Sequence, residues 1–265
     1  MGLRGRGPRP LVAVDLAALD LVWIQTNPAH DPRSWAHDGA FVILALAKRQ
    51  GVRVVNDPET LLRAGSKIYL SSLPEAVRPQ TLVSADPEEI LAFVYALGGR
   101  AVLEPAGGTR GSDVLLVTAE SRFNLRQIVD VVTRGGFAMA QAFVPEAAAG
   151  DVRVLLMNGA PLQAGGAAAV VRRVPGGGEF RSNVAAGGTA TAAVLTERIR
   201  EVCALVGPTL ARDGLFLVGL DLIGPVIVEA NVFSPEGLPD AGRLQGVDFL
   251  TPVIEGLEHL VGETP

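Results

Sequence analysis

The chain has 265 residues, of which 48% are hydrophobic, and its formal net charge is −5 at pH 7. This length allows one large domain or two to three small ones, and the negative charge argues against a nucleic-acid-binding surface. No uninterrupted apolar run is long enough to span a membrane, and the apolar stretch after the basic start is broken by Asp15 and Asp20, unlike an export signal. A lone cysteine, Cys203, excludes an internal disulfide. We therefore expect a cytoplasmic protein.

The first third of the chain alternates strand and helix patterns. Leu21–Ile24 and Val52–Val55 are short apolar runs, and Trp35–Gln50 between them has helical periodicity and ends at Gly51. Strand–helix–strand order predicts an α/β unit with parallel strands.

The middle of the chain has a mixed pattern. Asp86-Pro-Glu-Glu89 is a strong helix start, and strands are predicted at Ala101–Leu103, Val114–Val117 and Ala138–Val144. The glycine-rich loop Gly107–Ser112 lacks the Gly-Lys-Ser/Thr ending of a P-loop. It is either a plain hairpin turn or a phosphate-approaching loop in which Arg110 supplies charge.

The last part of the chain favours an antiparallel sheet. Strands are predicted on either side of the turn Asn158-Gly159, and a strand begins after Gly150. There, Asp151 and Arg153 are either surface turn residues or contacts to a ribose hydroxyl and an anionic oxygen. Arg173 precedes a glycine-rich loop, and it lies either in solvent or over phosphates.

The segment Leu217–Val232 predicts a hairpin of two apolar strands joined at Gly224-Pro225. Its polar exceptions are Asp221, Glu229 and Asn231. Residues two apart on a strand share a face, and a three-residue turn would set Asp221 opposite Glu229. Two carboxylates and an amide oxygen suit Mg²⁺ with substrate phosphates. The alternative is that these side chains simply face water.

Other chemistries have little support in the sequence. The histidines show no metal-ligand spacing, and there is no Gly-x-Ser-x-Gly nucleophile elbow. Cys203 lies on the apolar face of a predicted helix, where packing is its expected role. Hydrolase and zinc-dependent functions are therefore not indicated.

Three segments together resemble bacterial glutathione synthetase, of the ATP-grasp superfamily. They read GDVRVL at 150–155, RVPGGGEFRSNVAAGG at 173–188, and VGLDLIG with VEANVFSP within 218–235. The resemblance implies mixed α/β and α+β structure: an ATP-grasp fold behind a truncated N-terminal α/β domain. It divides the chain into that substrate domain (1–65), a lid subdomain (66–143) and a C-terminal subdomain with the metal-binding hairpin (144–265).

The resemblance also implies roles for residues. Lys67 would contact ATP phosphates, Asp151 would meet the ribose, and Arg153 and Arg173 would face phosphates or an acyl phosphate. Gln141, Phe143 and Val144 would line the adenine. Asp221, Glu229 and Asn231 would hold Mg²⁺, and Mn²⁺ also fits. Arg181 and Asn183 would belong to a mobile loop that covers the site.

One position departs from the family pattern. A lysine is expected before the proline of the lid strand, where this chain has Glu104. Either Arg110 supplies the missing charge, or Glu104 turns away, or nucleotide binding is weak.

The implied function is an ATP- and Mg²⁺-dependent carboxylate–amine ligase that acts through an acyl phosphate on a small-molecule or peptide substrate. The alternatives are a ligase on a different peptide and a nucleotide-binding protein without ligase activity. A homo-oligomer, or a subunit that borrows its substrate domain from a partner chain, is also compatible with the sequence. We expect neither nucleic acid nor membrane as a partner.

Overall fold

The computed structural model describes residues 13–26, 31, 33–107, 114–176 and 188–262. The predicted contributors Arg110, Arg181 and Asn183 lie outside these ranges. No helix in the described ranges is both long and apolar enough to cross a membrane.

The N-terminal unit is the predicted strand–helix–strand. Strands β1 (Leu21–Trp23) and β2 (Arg53–Val55) pair in parallel, and α1 (Ser34–Arg49) connects them. A short helix, α2 (Pro58–Ala64), follows, with the Asp57 side chain accepting a hydrogen bond from the Thr60 N–H at its start. The α/β expectation for this part is confirmed.

The second unit is an antiparallel sheet covered by two helices, and we call it the lid. Its strand order is β3-β6-β4-β5. Its core contains Ile90, Val94, Leu103 and Val129. The elements are β3 (Thr81–Ser84), α3 (Pro87–Ala96), β4 (Ala101–Pro105), β5 (Leu115–Val117), α4 (Leu125–Val132) and β6 (Ala138–Ala142).

The third unit is built on a larger antiparallel sheet, which we call the main sheet. Its order is β12-β11-β7-β13-β14, with β8 beside β7. The strands are β7 (Asp151–Met157), β8 (Ala160–Pro161), β9 (Gln163–Ala164), β10 (Ala167–Ala168), β11 (Val170–Val174), β12 (Thr189–Ala192), β13 (Leu217–Ile223) and β14 (Val226–Asn231), of which β9 and β10 form a separate ribbon. The helices are α5 (Glu197–Arg212), α6 (Leu238–Gln245) and α7 (Leu250–Gly262).

The two faces of the main sheet differ because strand side chains alternate in direction. On one face Val154 and Leu220 pack with α5, including Cys203, whose thiol pKa burial raises to about 12. On the other face Leu155 and Leu217 pack with α6 and α7. This second face also carries the charged residues described below, on the part of the strands that the helices leave open.

The segment that links the N-terminal unit to the lid packs against the main-sheet core. Lys67–Ser72 is a 3₁₀ helix, and Tyr69, Leu70, Leu73 and Val77 join the apolar cluster that contains α5. Lys67 therefore stands on the side of the main sheet, facing the lid.

Candidate active site

A cleft between the lid and the main sheet collects most of the residues that the sequence singled out. Its lining includes Glu104 and the apolar side chains of Val102, Ile223 and Val228. The predicted residues that line it are Lys67, Gln141, Phe143, Val144, Asp151, Arg173, Asp221 and Glu229.

The hairpin β13–β14 sets Asp221 opposite Glu229, as expected, but not through the expected three-residue turn. The turn has two residues, because Ile223 pairs with Val226 and Leu222 with Ile227. The register then shifts, and Asp221 pairs with Glu229, which makes Val228 the extra residue of a β-bulge. Without the bulge Asp221 would oppose Val228, and the two carboxylates would point to opposite faces of the sheet.

Four charged side chains form a buried network on this face. Arg153 donates to Asp221 through Nε–Oδ1 and Nη2–Oδ2 contacts of 2.7 Å each. Arg173 donates to both oxygens of Asp151 at 2.7 and 2.8 Å, and its Nη2 also lies 2.7 Å from Asp221 Oδ2. All four residues are buried. The network fixes the planar guanidinium groups in two-point contacts, which arginine makes and lysine does not.

Strand register explains why these side chains meet. Asp221 pairs with Arg153, and Asp151 pairs with Arg173. Paired residues share a face, and so do Asp151 and Arg153, two apart on β7. Arg153 lies behind Asp221, and its Nη1 donates to the Glu236 carbonyl at 3.1 Å.

The carboxylates differ in their protonation behaviour. Burial favours the neutral form of Asp221, but the charges of Arg153 and Arg173 outweigh it and hold the pKa below its ordinary range. Burial, followed by the charge of Asp221, raises the pKa of Glu229 to about 7. A cation beside these oxygens would oppose that rise, since a nearby positive charge favours the ionised form of a carboxyl group.

The oxygen donors fit a hard divalent cation. Asp221 and Glu229 supply carboxylates. The Asn231 amide is adjacent and donates from Nδ2 to Asp221 Oδ2 at 3.2 Å, so its oxygen would have to rotate toward the carboxylates to join a cation. Within the described ranges, no three His, Cys, Asp or Glu side chains come together as a metal cluster. Two carboxylates and an amide, with the rest of the shell from phosphates and water, suit Mg²⁺ and not a closed zinc site.

Glu104 does not turn away from the cleft. It is buried on β4, lines the cleft and forms an ion pair with Lys67. Of the three alternatives for this position, the structure contradicts the one in which Glu104 points elsewhere. The physical reason is that a buried carboxylate needs a partner, and the Lys67 ammonium group is within reach.

Two further features of the site had no clear sequence signal. Arg100 places its guanidinium carbon 4.0 Å from the centre of the Phe143 ring, as a cation–π contact at the cleft edge. Asn56 donates to the carbonyl groups of Leu217 (2.9 Å) and Val232 (2.6 Å) and accepts from the Leu217 N–H (3.0 Å). It thus ties the N-terminal unit to the β13–β14 hairpin.

Comparisons with known proteins show the family to which this chain belongs. The family described as "Prokaryotic glutathione synthetase, ATP-grasp domain" matches residues 66–246. The glutathione synthetase of Synechococcus elongatus is 42% identical over 244 residues, which cover 91% of this chain and 72% of the relative. That of Parasynechococcus marenigrum is 38% identical over 262 residues, covering 96% and 81%.

Solved structures show the same fold at lower sequence identity. D-cycloserine synthetase DcsG superposes with a TM-score of 0.67 at 16% identity, covering 94% of this chain and 85% of that one. The ATP-grasp ligase PsnB, complexed with minimal precursor, gives 0.63 at 17% identity, covering 91% and 78%. The expected ATP-grasp fold is thereby confirmed.

Proposed function

Because this chain belongs to the prokaryotic glutathione synthetase family and is an ATP-dependent carboxylate–amine ligase, we propose that it forms glutathione from γ-glutamylcysteine and glycine in the cytoplasm. The γ-phosphoryl group of ATP passes to the cysteinyl carboxylate, which gives ADP and an acyl phosphate. The glycine amine then attacks the carbonyl carbon, phosphate leaves, and the amine loses a proton. The observation that carries the proposal is the meeting of Lys67, Arg173, Asp221 and Glu229 in one cleft.

The cationic side chains bind and neutralise the phosphoryl oxygens. Arg173 is held rigidly by Asp151 and Asp221 through Nε and Nη2, so its Nη1 group can be aimed at a phosphoryl oxygen without an entropic cost at the moment of transfer. Arg153 keeps Asp221 ionised and in position. Little covalent chemistry is asked of the protein, because positioning and charge neutralisation carry most phosphoryl transfers.

The nucleotide is held at the junction of β6 and β7. Gln141, Phe143 and Val144 bind the adenine along the edge of the lid, and Asp151 meets the ribose. Lys67 contacts the phosphates once its pair with Glu104 opens. Val102, Ile223 and Val228 make the walls apolar, which strengthens every charged contact inside.

Asp221, Glu229 and Asn231 would hold the divalent ion, and we propose Mg²⁺ ahead of Mn²⁺. When bound, such an ion neutralises charge on the transferring phosphoryl group. The buried pair of carboxylates supports this assignment, because two adjacent carboxylates are more readily ionised together when a cation lies between them.

The test is ADP release by the purified chain with ATP, Mg²⁺, γ-glutamylcysteine and glycine, together with mass detection of glutathione. We expect both products only when all four components are present. Omission of glycine leaves at most slow hydrolysis. ADP release with no tripeptide, or no ADP release at all, would contradict the assignment of substrates.

A ligase for a different acyl peptide is the second candidate. In the segment after Asn231, Phe233 is stacked on Phe41 of α1 at a centroid distance of 5.7 Å and an interplanar angle of 18°, so an aromatic pair follows the hairpin directly. The same assay with a panel of γ-glutamyl dipeptides and amines separates the two. Turnover with another pair, but not with γ-glutamylcysteine and glycine, selects this candidate.

A further inference from the structure

Strand β4 of the lid turns alternate side chains toward the cleft. Val102 and Glu104, two residues apart, both line it. Arg100 directly precedes β4, and its guanidinium carbon lies 4.0 Å from the ring centre of Phe143, which also belongs to the lining. The cleft side of the lid sheet therefore begins with a cation over an aromatic ring, at the end of β4 away from Glu104.

Strand register explains why the cation and the ring meet. Ala101, the first residue of β4, pairs with Ala142 of β6 and also with the last residue of β5. In an antiparallel pair the residue before one partner meets the residue after the other, so Arg100 meets Phe143. By the same rule Arg100 meets Thr118 on the β5 side. The middle strand of the three thus delivers Arg100 between two neighbours.

A carboxylate on the β5 side helps to hold the guanidinium in place. Thr118 Oγ1 donates to Glu120 Oε2 at 2.5 Å. The pKa of Glu120 is lowered first by this hydrogen bond and also by the charge of Arg100. Arg100 is exposed, and an exposed arginine samples many rotamers unless contacts restrain it. Here it is attracted on one side by a carboxylate and on the other by the face of a ring.

We propose that Arg100 is a positioning residue for the nucleotide, because it fixes the Phe143 ring as a wall of the pocket for the base. This inference rests on the nucleotide placement in the proposed function, with the base at Gln141, Phe143 and Val144. Phe143 is only half-buried and lies just past the paired part of β6. A wall that is ordered before the base arrives reduces the entropic cost of binding.

The first test is calorimetric titration of the full chain with AMP-PNP and Mg²⁺. Arg100→Ala should weaken binding about three- to tenfold, and Arg100→Lys, which keeps a cation over the ring, less than about twofold. Arg122→Ala is the matched control. Arg122 lies 4.6 Å from the ring centre of Phe123, but both residues are exposed and neither lines the cleft. Unchanged binding by Arg100→Ala, or equal loss with Arg122→Ala, would overturn the inference.

The second test shows whether Arg100 acts through the ring. In a Phe143→Leu background, Arg100→Ala should change the affinity for AMP-PNP less than about twofold, because the group that Arg100 positions is gone. Inorganic tripolyphosphate, which has no base, should bind Arg100→Ala and the wild type equally. The same loss in both backgrounds, or with tripolyphosphate, would mean that Arg100 acts on the phosphates by its charge, and the inference would be wrong.

Turnover separates this inference from the proposed function. Arg100→Ala should raise the KM for ATP and leave kcat and the KM for the amine unchanged, since the base takes no part in the chemistry. If the wild type binds AMP-PNP but makes no glutathione, the substrate assignment fails while calorimetry still decides the role of Arg100. A wild type that does not bind AMP-PNP would overturn the inference together with the nucleotide site.

Discussion

At the scale of single residues, the ion pair Lys67–Glu104 stands where we propose that the phosphates of ATP bind. Both side chains are largely buried and line the cleft, so in the proposed complex the phosphates compete with Glu104 for the Lys67 ammonium group. Breaking a buried ion pair leaves an uncompensated charge, which is costly. Two of the three alternatives for Glu104 remain: Arg110 supplies the missing positive charge, or nucleotide binding is weak. Both are consequences of a carboxylate at this position.

We predict that Glu104→Lys increases the stabilisation of the chain by Mg²⁺–ATP. The substitution replaces a repulsive charge near the phosphates with an attractive one, and we expect binding at least about tenfold tighter, or 1.4 kcal/mol. The ligand-free variant should be less stable, because two ammonium groups then face each other. Thermal shift with and without nucleotide measures both effects.

The control for this prediction is Glu88→Lys. Glu88 also belongs to the lid and pairs with Arg126, but both side chains are exposed. This variant should leave the nucleotide shift unchanged. No gain with Glu104→Lys would mean that Glu104 lies outside the phosphate site.

The raised pKa of Glu229 predicts how stability depends on pH in the metal-free chain. Between its ordinary value of 4.5 and about 7, the folded chain keeps a proton that the unfolded chain has lost. The free energy of unfolding therefore falls as pH rises through this window, by on the order of 3 kcal/mol. Asp221 has the opposite effect, but only below its ordinary value of 3.8.

Urea unfolding in EDTA at pH 5 and pH 7.5 tests this expectation. Glu229→Gln, which cannot titrate, should lose most of the difference. If the variant and the wild type show the same pH dependence, another group is responsible.

At the scale of secondary-structure elements, small departures from regular geometry decide the site. The bulge at Val228 brings Glu229 and Asn231 to the face of Asp221. Helix α5 continues through Pro208 to Arg212, although proline disfavours a helix interior. One residue earlier, Gly207 lies against the turn at Gly159, so this part of α5 is fixed by close packing on the main sheet.

We predict that Gly207→Ala destabilises the chain by about 1–3 kcal/mol, as overpacking does. The added Cβ would lie 2.1 Å from the Gly159 carbonyl oxygen, and this backbone atom cannot move aside easily. Gly262→Ala is the matched control at the end of α7, because a Cβ there meets nothing within 4 Å. Denaturant unfolding measures the free energy of unfolding of both variants. Equal values for Gly207→Ala and Gly262→Ala would show that α5 accommodates the added Cβ without a loss of stability.

At the scale of the whole molecule, Asn56 couples the N-terminal unit to the main sheet. Its three hydrogen bonds reach the first residue of β13 and the residue after β14, so they hold both ends of the hairpin that carries Asp221 and Glu229. Buried amides of this kind are expensive to remove, because their partners lose hydrogen bonds that water cannot replace.

We predict that Asn56→Ala lowers the free energy of unfolding by about 2–4 kcal/mol and weakens the stabilisation by Mg²⁺–ATP. Asn124→Ala is the control, since Asn124 is exposed and its side chain makes no capping hydrogen bond. Urea unfolding with and without nucleotide measures both quantities. Lower stability with an unchanged nucleotide response would limit Asn56 to a structural role.

The sequence by itself determined the element types and the set of chemical groups. Alternation, helix caps and turn residues are local signals, and they predicted the parallel strand pair, the helix start at Asp86 and the hairpin at Gly224-Pro225. The unusual polar residues within apolar strands, Asp221 and Glu229, were visible because burial of a carboxylate is costly.

Tertiary structure alone decided how those groups meet. A β-bulge is one inserted residue with no composition signal, so Val228 could not be found from the pattern of Leu217–Val232. The partners of Glu104 and Asn56 lie 37 and 161 residues away along the chain, and local propensity carries no information at such separations. Strand register and long-range packing therefore determine which charged residues contact one another in the buried network.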